Sequence, residues 1–282
     1  MKIEPIERER YELLFSFTDE YYIRKLKEEY ADGTVYAVYD DACVGWCHLD
    51  IPDQTIWDCF VVVYVAPAYR KRGYGTMIYR WAEEKMRKSG CSWWSSYAPD
   101  AAADRFALSV GFDYTNHNSY MEYRDPGKIE EPLLPDGVVI RPYRPSDYPA
   151  APDIWSREYT QMHRELGLPY APKEKTEDEK EQERQLYEGE HSYVLEYGGK
   201  TVGIGGLFGD ASGIGMLAVD RAFQGRGLGF CMTRFLLCRS REKGTVHPCI
   251  YCETNNLPAM HVYQKAGFTE VERESVAIKL LK

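Results

Sequence analysis

Long apolar runs are absent from this sequence of 282 residues. No window approaches the roughly 18 uninterrupted apolar residues of a membrane-spanning helix, and the opening MKIEPIERER is charged where a signal peptide would be apolar. We therefore expect a cytoplasmic protein with no membrane partner. General disorder is excluded as well, because apolar residues make up 44% of the chain and aromatic residues 14%.

Basic charge and clustered metal ligands are also scarce. The chain has 44 acidic and 35 basic side chains, a net charge of −9. A nucleic-acid partner needs a basic surface, so we expect none, whereas a cationic small substrate suits an acidic protein. The pair Cys249 and Cys252 forms half of a zinc motif, but no second close-spaced pair follows it. We therefore expect no bound metal.

The chain does contain an internal repeat. VYVAPAYRKRGYG at residues 63–75 resembles LAVDRAFQGRGLG at residues 217–229, and aligning Arg70 with Gln224 aligns the glycines at a constant offset of 154. Downstream, DAAADRFALSVGF at 100–112 aligns with NLPAMHVYQKAGF at 256–268, at an offset of 156. The order of the motifs is the same in both halves, so the sequence predicts two copies of one fold.

A linker separates the copies. DPGKIEEPLLPDG, residues 125–137, has three prolines and two glycines, a composition typical of an extended connection. We predict an N-terminal domain at 1–125, a linker at 126–136 and a C-terminal domain at 137–282. Each copy alternates apolar strands with amphipathic helices, which predicts an α/β protein in which a mixed, mostly antiparallel sheet is flanked by helices.

The glycine-rich segment of each copy lies between an apolar strand and a helix. This arrangement aims unpaired backbone N–H groups and the positive end of a helix dipole at one point, which predicts an anion site, usually for phosphate. The P-loop consensus G-x-x-x-x-G-K-[ST] is missing from both copies, and the dinucleotide fingerprint fails because Ile78 and Met232 stand where its third glycine belongs. Nucleoside triphosphates and NAD are therefore disfavoured.

The pattern that fits is [RQ]-x-x-G-x-G, preceded at five residues by a strand valine. It occurs as RKRGYG at 70–75 and QGRGLG at 224–229, and a second motif, N-x-x-A-x-x-x-Y-x-K-x-G-F, is intact at 256–268. In these motifs the sequence resembles the GNAT family, the Gcn5-related N-acetyltransferases, over both halves. The resemblance implies two tandem GNAT folds and acetyl-CoA as co-substrate, its pyrophosphate bound by backbone amides of the glycine turn. The residues so assigned to the cofactor are Val65, Arg70, Lys71, Arg72, Gly73, Tyr74 and Gly75 in the first copy, and Leu217, Ala218, Val219, Gln224, Gly225, Arg226, Gly227, Leu228, Gly229 and Asn256 in the second.

The two copies differ at the short helix of the second motif. Tyr263 occupies the inward position at which the first copy has Ala107. An alkyl thiol near pKa 8.5 and a phenol near pKa 10 differ by about 1.5 units, about 2 kcal/mol, so proton donation from a tyrosine to a leaving thiolate is feasible. The family resemblance makes Tyr263 the general acid and the second domain the catalyst, while a tyrosine of the core is the alternative interpretation.

The general base and the acceptor site are less well marked. Family members often carry a glutamate on the strand before the glycine turn, but this strand has none. We select Glu253, at the end of the next strand, ahead of Asp210 and His261. The resemblance implies that the early helices and the first hairpin recognise the acceptor. In the second copy that region reads SREYTQMHRELGLPY, in which Tyr159, His163 and Tyr170 are candidates for substrate binding. These positions are also compatible with an ordinary aromatic-rich surface.

The resulting hypothesis is an N-acetyltransferase that moves the acetyl group of acetyl-CoA to a primary amine by direct transfer in a ternary complex. The acceptor is a small molecule or a peptide, and the protein a monomer or homodimer. The family member mycothiol synthase has the same duplicated plan, but no motif here indicates its substrate. The alternative is a CoA or acyl-CoA sensor that transfers nothing, a role that the first copy would suit. Transfer of a longer acyl group, or of an aminoacyl group from RNA, is a third hypothesis, and the acidic charge disfavours its RNA form.

Overall fold

The structure, a computed structural model, describes residues 1–53, 59–91, 93–98, 100–125, 129–168, 174–189, 191–209 and 211–280. Contacts between Cα atoms divide the chain into two compact units. The first comprises Met1–Asn116 with Ser275–Lys282, and the second comprises His117–Glu274. Among the described ranges, no helix has the length and apolar character needed to cross a membrane.

The first unit is a mixed sheet with helices on it. Its strands are β1 (Lys2–Pro5), β2 (Val35–Tyr39), β3 (Cys43–Asp50), β4 (Cys59–Val65) and β5 (Trp93–Ala98), and its helices are α1 (Glu12–Phe15), α2 (Glu20–Glu28), α3 (Tyr74–Met86) and α4 (Ala101–Ser109). The first four strands pair in antiparallel order, and β4 then pairs with β5 in parallel. On the other side of β5 lies Ser275–Leu280, the C-terminal half of the last strand of the chain.

Alternation along β3 separates two cores in the first unit. Trp46 packs in a cluster with α2 residues such as Tyr22, while its neighbour Cys47 packs in a second cluster with α3 residues such as Ile78. Successive side chains of a strand point to opposite faces, so one strand serves both cores. The Trp46 indole also stacks on the Tyr64 ring, with centroids 5.3 Å apart.

His48 makes the stability of the first unit sensitive to acid. Its imidazole is buried and stacks on the Tyr30 ring at 3.7 Å, and burial lowers its pKa to about 3. The folded state keeps His48 neutral, whereas the unfolded chain binds a proton below about pH 6.5. Stability is therefore lost as the pH falls from 6.5 towards 3, by up to about 1.4 kcal/mol per pH unit.

We expect the free energy of unfolding to fall by about 1 kcal/mol more between pH 7 and pH 5.5 in the native protein than in a His48→Phe variant. Urea titrations at the two pH values measure this difference, and the comparison removes the contribution of every other titrating group. An equal pH dependence in the two proteins would contradict the prediction.

The second unit repeats this plan. Its strands are β6 (Tyr114–Glu122), β7 (Val138–Pro142), β8 (Ser192–Tyr197), β9 (Lys200–Phe208), β10 (Gly213–Val219), β11 (Cys249–Glu253) and the first half of β12 (Thr269–Leu280). Its helices are α5 (Ala150–Glu165), α6 (Glu177–Tyr187), α7 (Leu228–Glu242) and α8 (Leu257–Ala266). The paired residues of β6 are Asn118–Glu122. Strands β7 to β10 pair in antiparallel order, β10 pairs with β11 in parallel, and β11 pairs with β6.

The last sheet position of each unit is thus filled by a strand from the other half of the sequence. Residues 118–122 of the first copy lie beside β11, and residues 275–280 of the second copy lie beside β5. The repeat gives no sign of this arrangement, because each copy has a last strand of its own. The division at 1–125 and 137–282 stays a prediction about domains.

The helices of the second unit cover two faces of its sheet. Leu195 and Val219 pack with Met232 of α7 in one cluster, while Val194 and Ala218, their chain neighbours, pack with α5 in another. Helix α8 packs against α7. The end of β10 therefore lies between α7 and α8 on one face and α5 on the other, and this is where the predicted site residues lie.

Candidate active site

The glycine turn of the second unit leaves its backbone amides uncovered by side chains. Gly225 and Gly227 have φ of 74° and 79°, in the left-handed region that favours glycine, and Gly227 is the N-cap of α7. A Cβ added at either residue or at Gly229 would meet no atom within 4 Å. The first N–H groups of α7 therefore lie free of side-chain cover, a geometry that fits the diphosphate of the predicted cofactor.

The residue that starts the motif anchors this turn. Gln224 Nε2 donates to the carbonyl oxygen of Val219 at 2.8 Å, and in the first unit Arg70 Nε donates to Val65 O at 3.0 Å. This bond explains the fixed spacing of five residues between the strand valine and the start of the motif. Glu158 Oε2 lies 3.4 Å from the same amide nitrogen of Gln224. The side chain of Gln224 thus holds the turn against the strand end.

The other predicted cofactor residues surround the turn. Leu228 is buried under it, Leu217 packs against the core, and the Arg226 guanidinium lies over the Phe223 ring at 5.3 Å. In the first unit Lys71 takes the place of Gly225 with φ of 63°, and Arg72 lies over an aromatic ring in the same way as Arg226. The backbone of the motif is thus the same in both units.

A bulge interrupts β10 beside the turn. The register between β9 and β10 shifts between Gly215 and Ala218, and Met216 has φ of 47°. The corresponding strands of the first unit, β3 and β4, pair without a shift. Strands β10 and β11 pair only through Gly213 and Ile214, so they separate beyond this point. The bulge leaves backbone polar groups outside the ladder at this gap. Gly215, a glycine within a strand, is the one sequence feature that indicates such an irregularity, and the bulge itself was not predicted.

Tyr263 lies on α8 within the core cluster of the second unit. Its side chain is buried beside Cys252, and its hydroxyl has no hydrogen-bond partner among the described residues. Burial raises the pKa of the phenol, and the nearby Cys252 and Glu253 raise it further. The phenol is therefore protonated at every physiological pH, as a proton donor must be. Ala107 holds the matching position in the first unit.

Glu253 lies at the end of β11 and meets α5. Its Oε1 is 3.5 Å from Nε2 of His163, a buried imidazole. The Tyr159 ring meets the His163 ring edge-on at 4.1 Å and stacks on Trp155 at 4.8 Å. The structure therefore brings Tyr159 and His163, two of the three residues predicted for the acceptor, close to the residue predicted as base.

The remaining candidates are less central. Asn256 caps α8 through its side-chain oxygen, and its Nδ2 lies 2.9 Å from the sulfur of Met162. His261 is exposed on α8. Asp210 and Tyr170 lie outside the described residues. Within the described part of the chain, no three His, Cys, Asp or Glu side chains are grouped to hold a metal ion.

The first unit closes the equivalent space with side chains. A Cβ at Gly75 would lie 3.1 Å from the Phe106 ring, whereas the matching Gly229 is open. The cavity bounded by Phe106, Tyr22 and Tyr97 has a volume of about 30 Å³, room for no more than a water molecule. Asp100, which replaces Asn256, accepts from two backbone amides as the N-cap of α4. This geometry disfavours a cofactor in the first unit.

A wide cleft flanks the turn in the second unit. It has a volume of about 780 Å³ and lies between α5 and the residues just before the glycine turn. Arg157 pairs with Asp220 at 3.1 Å, and Arg221 pairs with Glu165. The walls of the cleft are charged. No local sequence pattern predicts the cleft, because α5 and the turn are far apart in the chain.

Comparisons with known proteins identify the family of this chain. Residues 2–112 and 153–268 match the family model "Acetyltransferase (GNAT) family". The chain is 27% identical to the mycothiol acetyltransferase of Amycolatopsis mediterranei over 84% of this chain and 81% of that protein. It is 29% identical to the mycothiol acetyltransferase of Salinispora tropica, over 79% and 74%.

Two solved structures share the fold. A GCN5-related N-acetyltransferase from Sphaerobacter thermophilus superposes with a TM-score of 0.61 at 16% identity, over 99% of this chain and 95% of that one. A tandem GNAT protein from the clavulanic acid biosynthesis pathway gives 0.54 at 18% identity, over 99% and 98%. The expected fold, two GNAT-like halves, is confirmed. The chain belongs to the GNAT family of acetyltransferases and is an acyltransferase.

Proposed function

We propose that this protein transfers the acetyl group of acetyl-CoA to a primary amine in a ternary complex, and that the second unit is the catalyst. The observation that carries the proposal is a difference between the copies. The open glycine turn, the bulged β10 and an inward tyrosine, Tyr263, occur together in the second unit, while the first has a closed turn, a regular strand and Ala107.

The residues of the second unit supply the acid and base chemistry that this reaction needs. Glu253, on the α5 face of the sheet, takes a proton from the acceptor ammonium and so frees the nitrogen lone pair for attack on the thioester carbonyl. Tyr263 donates its proton to the departing sulfur. Burial raises the pKa of the phenol, and the same dry surroundings raise that of a thiol, so burial does not by itself widen the gap between donor and acceptor.

The bulge and the turn position the cofactor. Backbone amides at the start of α7 bind the diphosphate, and the backbone at Met216 and Leu217, outside the ladder, is available for the acyl carbonyl. Gln224 keeps the turn in place through its bond to Val219. The first unit, in which Phe106 covers Gly75, is proposed to be a structural partner without cofactor.

The relatives suggest where to begin with the acceptor. The similar proteins from Amycolatopsis and Salinispora are named mycothiol acetyltransferases. We propose a small-molecule primary amine, with the acceptor of those enzymes as the first compound to test. The net charge of −9 favours a cationic acceptor.

The proposal is tested by incubating the full chain with acetyl-CoA and a panel of primary amines, and by measuring free thiol release. We expect amine-dependent release of CoA with one N-acetyl product per thiol, identified by mass spectrometry. Matched alcohols in place of the amines are the control. Tight binding of acetyl-CoA without transfer to any amine would favour the sensor instead.

A further inference from the structure

The exposed face of β11 carries a row of polar and aromatic side chains. Ile250 and Cys252 point into the core with α7 and α8, so Tyr251 and Glu253, which alternate with them, share the opposite face. Strand β6 pairs with β11 so that Tyr120 lies directly opposite Tyr251 and Asn118 directly opposite Glu253. Such cross-strand partners have Cβ atoms about 5 Å apart. These four side chains therefore form one surface beside α5.

Asn118 carries an unsatisfied group on this surface. Its Oδ1 is buried and has no hydrogen-bond partner among the described residues. A buried acceptor without a donor is destabilising, and a ligand N–H that bonded to it would remove that cost. On the other flank, His163 contacts the Glu253 carboxylate and holds it at the strand end. Two side chains with oxygen acceptors thus stand at directly paired positions of β6 and β11.

The tyrosine pair extends the surface away from Glu253. The rings of Tyr120 and Tyr251 have centroids 5.0 Å apart, and Tyr251 is 50% exposed. The Tyr120 hydroxyl donates to Glu122 at 3.0 Å, which fixes its ring. An apolar or aromatic group attached to an amine at Glu253 would lie on this pair.

We propose that Glu253, held by His163, and Asn118 form a subsite that binds the acceptor as a primary ammonium, with the body of the acceptor on Tyr251. This inference rests on the proposed function. The ammonium gives one proton to Glu253, and Asn118 accepts a remaining N–H and so orients the lone pair. When the amide forms, the nitrogen loses a second proton. Tyr263 gives its own proton to the departing sulfur and is reprotonated by this second proton from nitrogen. Glu253 releases to solvent the proton that it took from the ammonium. The subsite needs β6, so residues 137–282 alone would lack it.

The test uses the full chain with benzylamine and its neutral counterpart benzyl alcohol, in the presence of CoA, which carries no acetyl group and so leaves the amine unreacted. Calorimetry is expected to show benzylamine binding at least about 10-fold more tightly than the alcohol. We expect Glu253→Gln to abolish this preference and Asn118→Ala to reduce it. Asn118→Asp, which keeps an oxygen at the position, is expected to retain it, and Asn255→Ala, at an exposed asparagine of the following turn, to leave it unchanged.

His163→Gln separates positioning from folding. If His163 orients Glu253, the variant raises KM for benzylamine and reduces its preference over benzyl alcohol while leaving acetyl-CoA affinity unchanged. Equal binding of benzylamine and benzyl alcohol, or an Asn118→Ala variant with native preference, would overturn the subsite. Preferential ammonium binding without acetyl transfer would keep the subsite and overturn the proposed function.

Discussion

Replacement of Tyr263 by phenylalanine is expected to lower kcat by about 10²-fold or more, with no change in the dissociation constant of acetyl-CoA. Phenylalanine keeps the ring packed in the core, so only the hydroxyl is lost. That hydroxyl has no hydrogen-bond partner among the described residues, so its loss leaves no buried group unpaired and the variant is expected to fold normally. The measurement is steady-state thiol release together with calorimetric titration of the cofactor.

The matched control is Tyr187→Phe, which removes the hydroxyl of another buried tyrosine of the same unit, on α6. It is expected to keep native kcat. Because burial raises the pKa of Tyr263, the native kcat should show no decline from ionisation of this phenol up to about pH 10. Unchanged turnover in Tyr263→Phe would remove the residue from the mechanism.

The second large effect is expected at Gly229. A leucine here should weaken acetyl-CoA binding by at least about 30-fold, the equivalent of about 2 kcal/mol, because its side chain enters the space in front of the first α7 amides. Protein stability should be unchanged or rise by up to about 1 kcal/mol, since the position is helical and open, and leucine is the better helix former. Calorimetry and urea unfolding measure the two effects.

The same substitution at the aligned position of the first unit should give the reverse pattern. Gly75→Leu forces a side chain against Phe106, so stability is expected to fall by about 1–3 kcal/mol, with unchanged acetyl-CoA affinity. If Gly75→Leu weakened the cofactor as much as Gly229→Leu, the first unit would be a second binding site. If neither variant weakened it, the glycine turn would not hold the diphosphate.

Much of this site can be read from local sequence. Left-handed backbone at positions 225 and 227 favours glycine, and a helix that begins at Leu228 needs apolar spacing, so QGRGLG between two apolar runs predicts the turn directly. The contrast between Tyr263 and Ala107 is likewise visible once the copies are aligned. These features depend on the conformation of a few consecutive residues, and each residue type limits that conformation.

The bulge in β10 and the contact between His163 and Glu253 depend on residues that are far apart in the chain. Gly215 signalled an irregular strand, but the register shift is set by pairing with β9. His163 and Glu253 are 90 residues apart in the chain and meet only because α5 packs across the sheet. No spacing rule relates them.

The sequence by itself determined the duplication, the glycine turns, the family and the tyrosine that separates the copies. Only the tertiary structure decided that Phe106 closes the first turn, that His163 meets Glu253, and that Asn118 stands opposite Glu253 on a strand from the first half of the chain. The physical reason is that strands pair through backbone hydrogen bonds common to all residues. An apolar segment therefore predicts a strand that pairs with another strand. Which strand it pairs with depends on the packing of the whole unit.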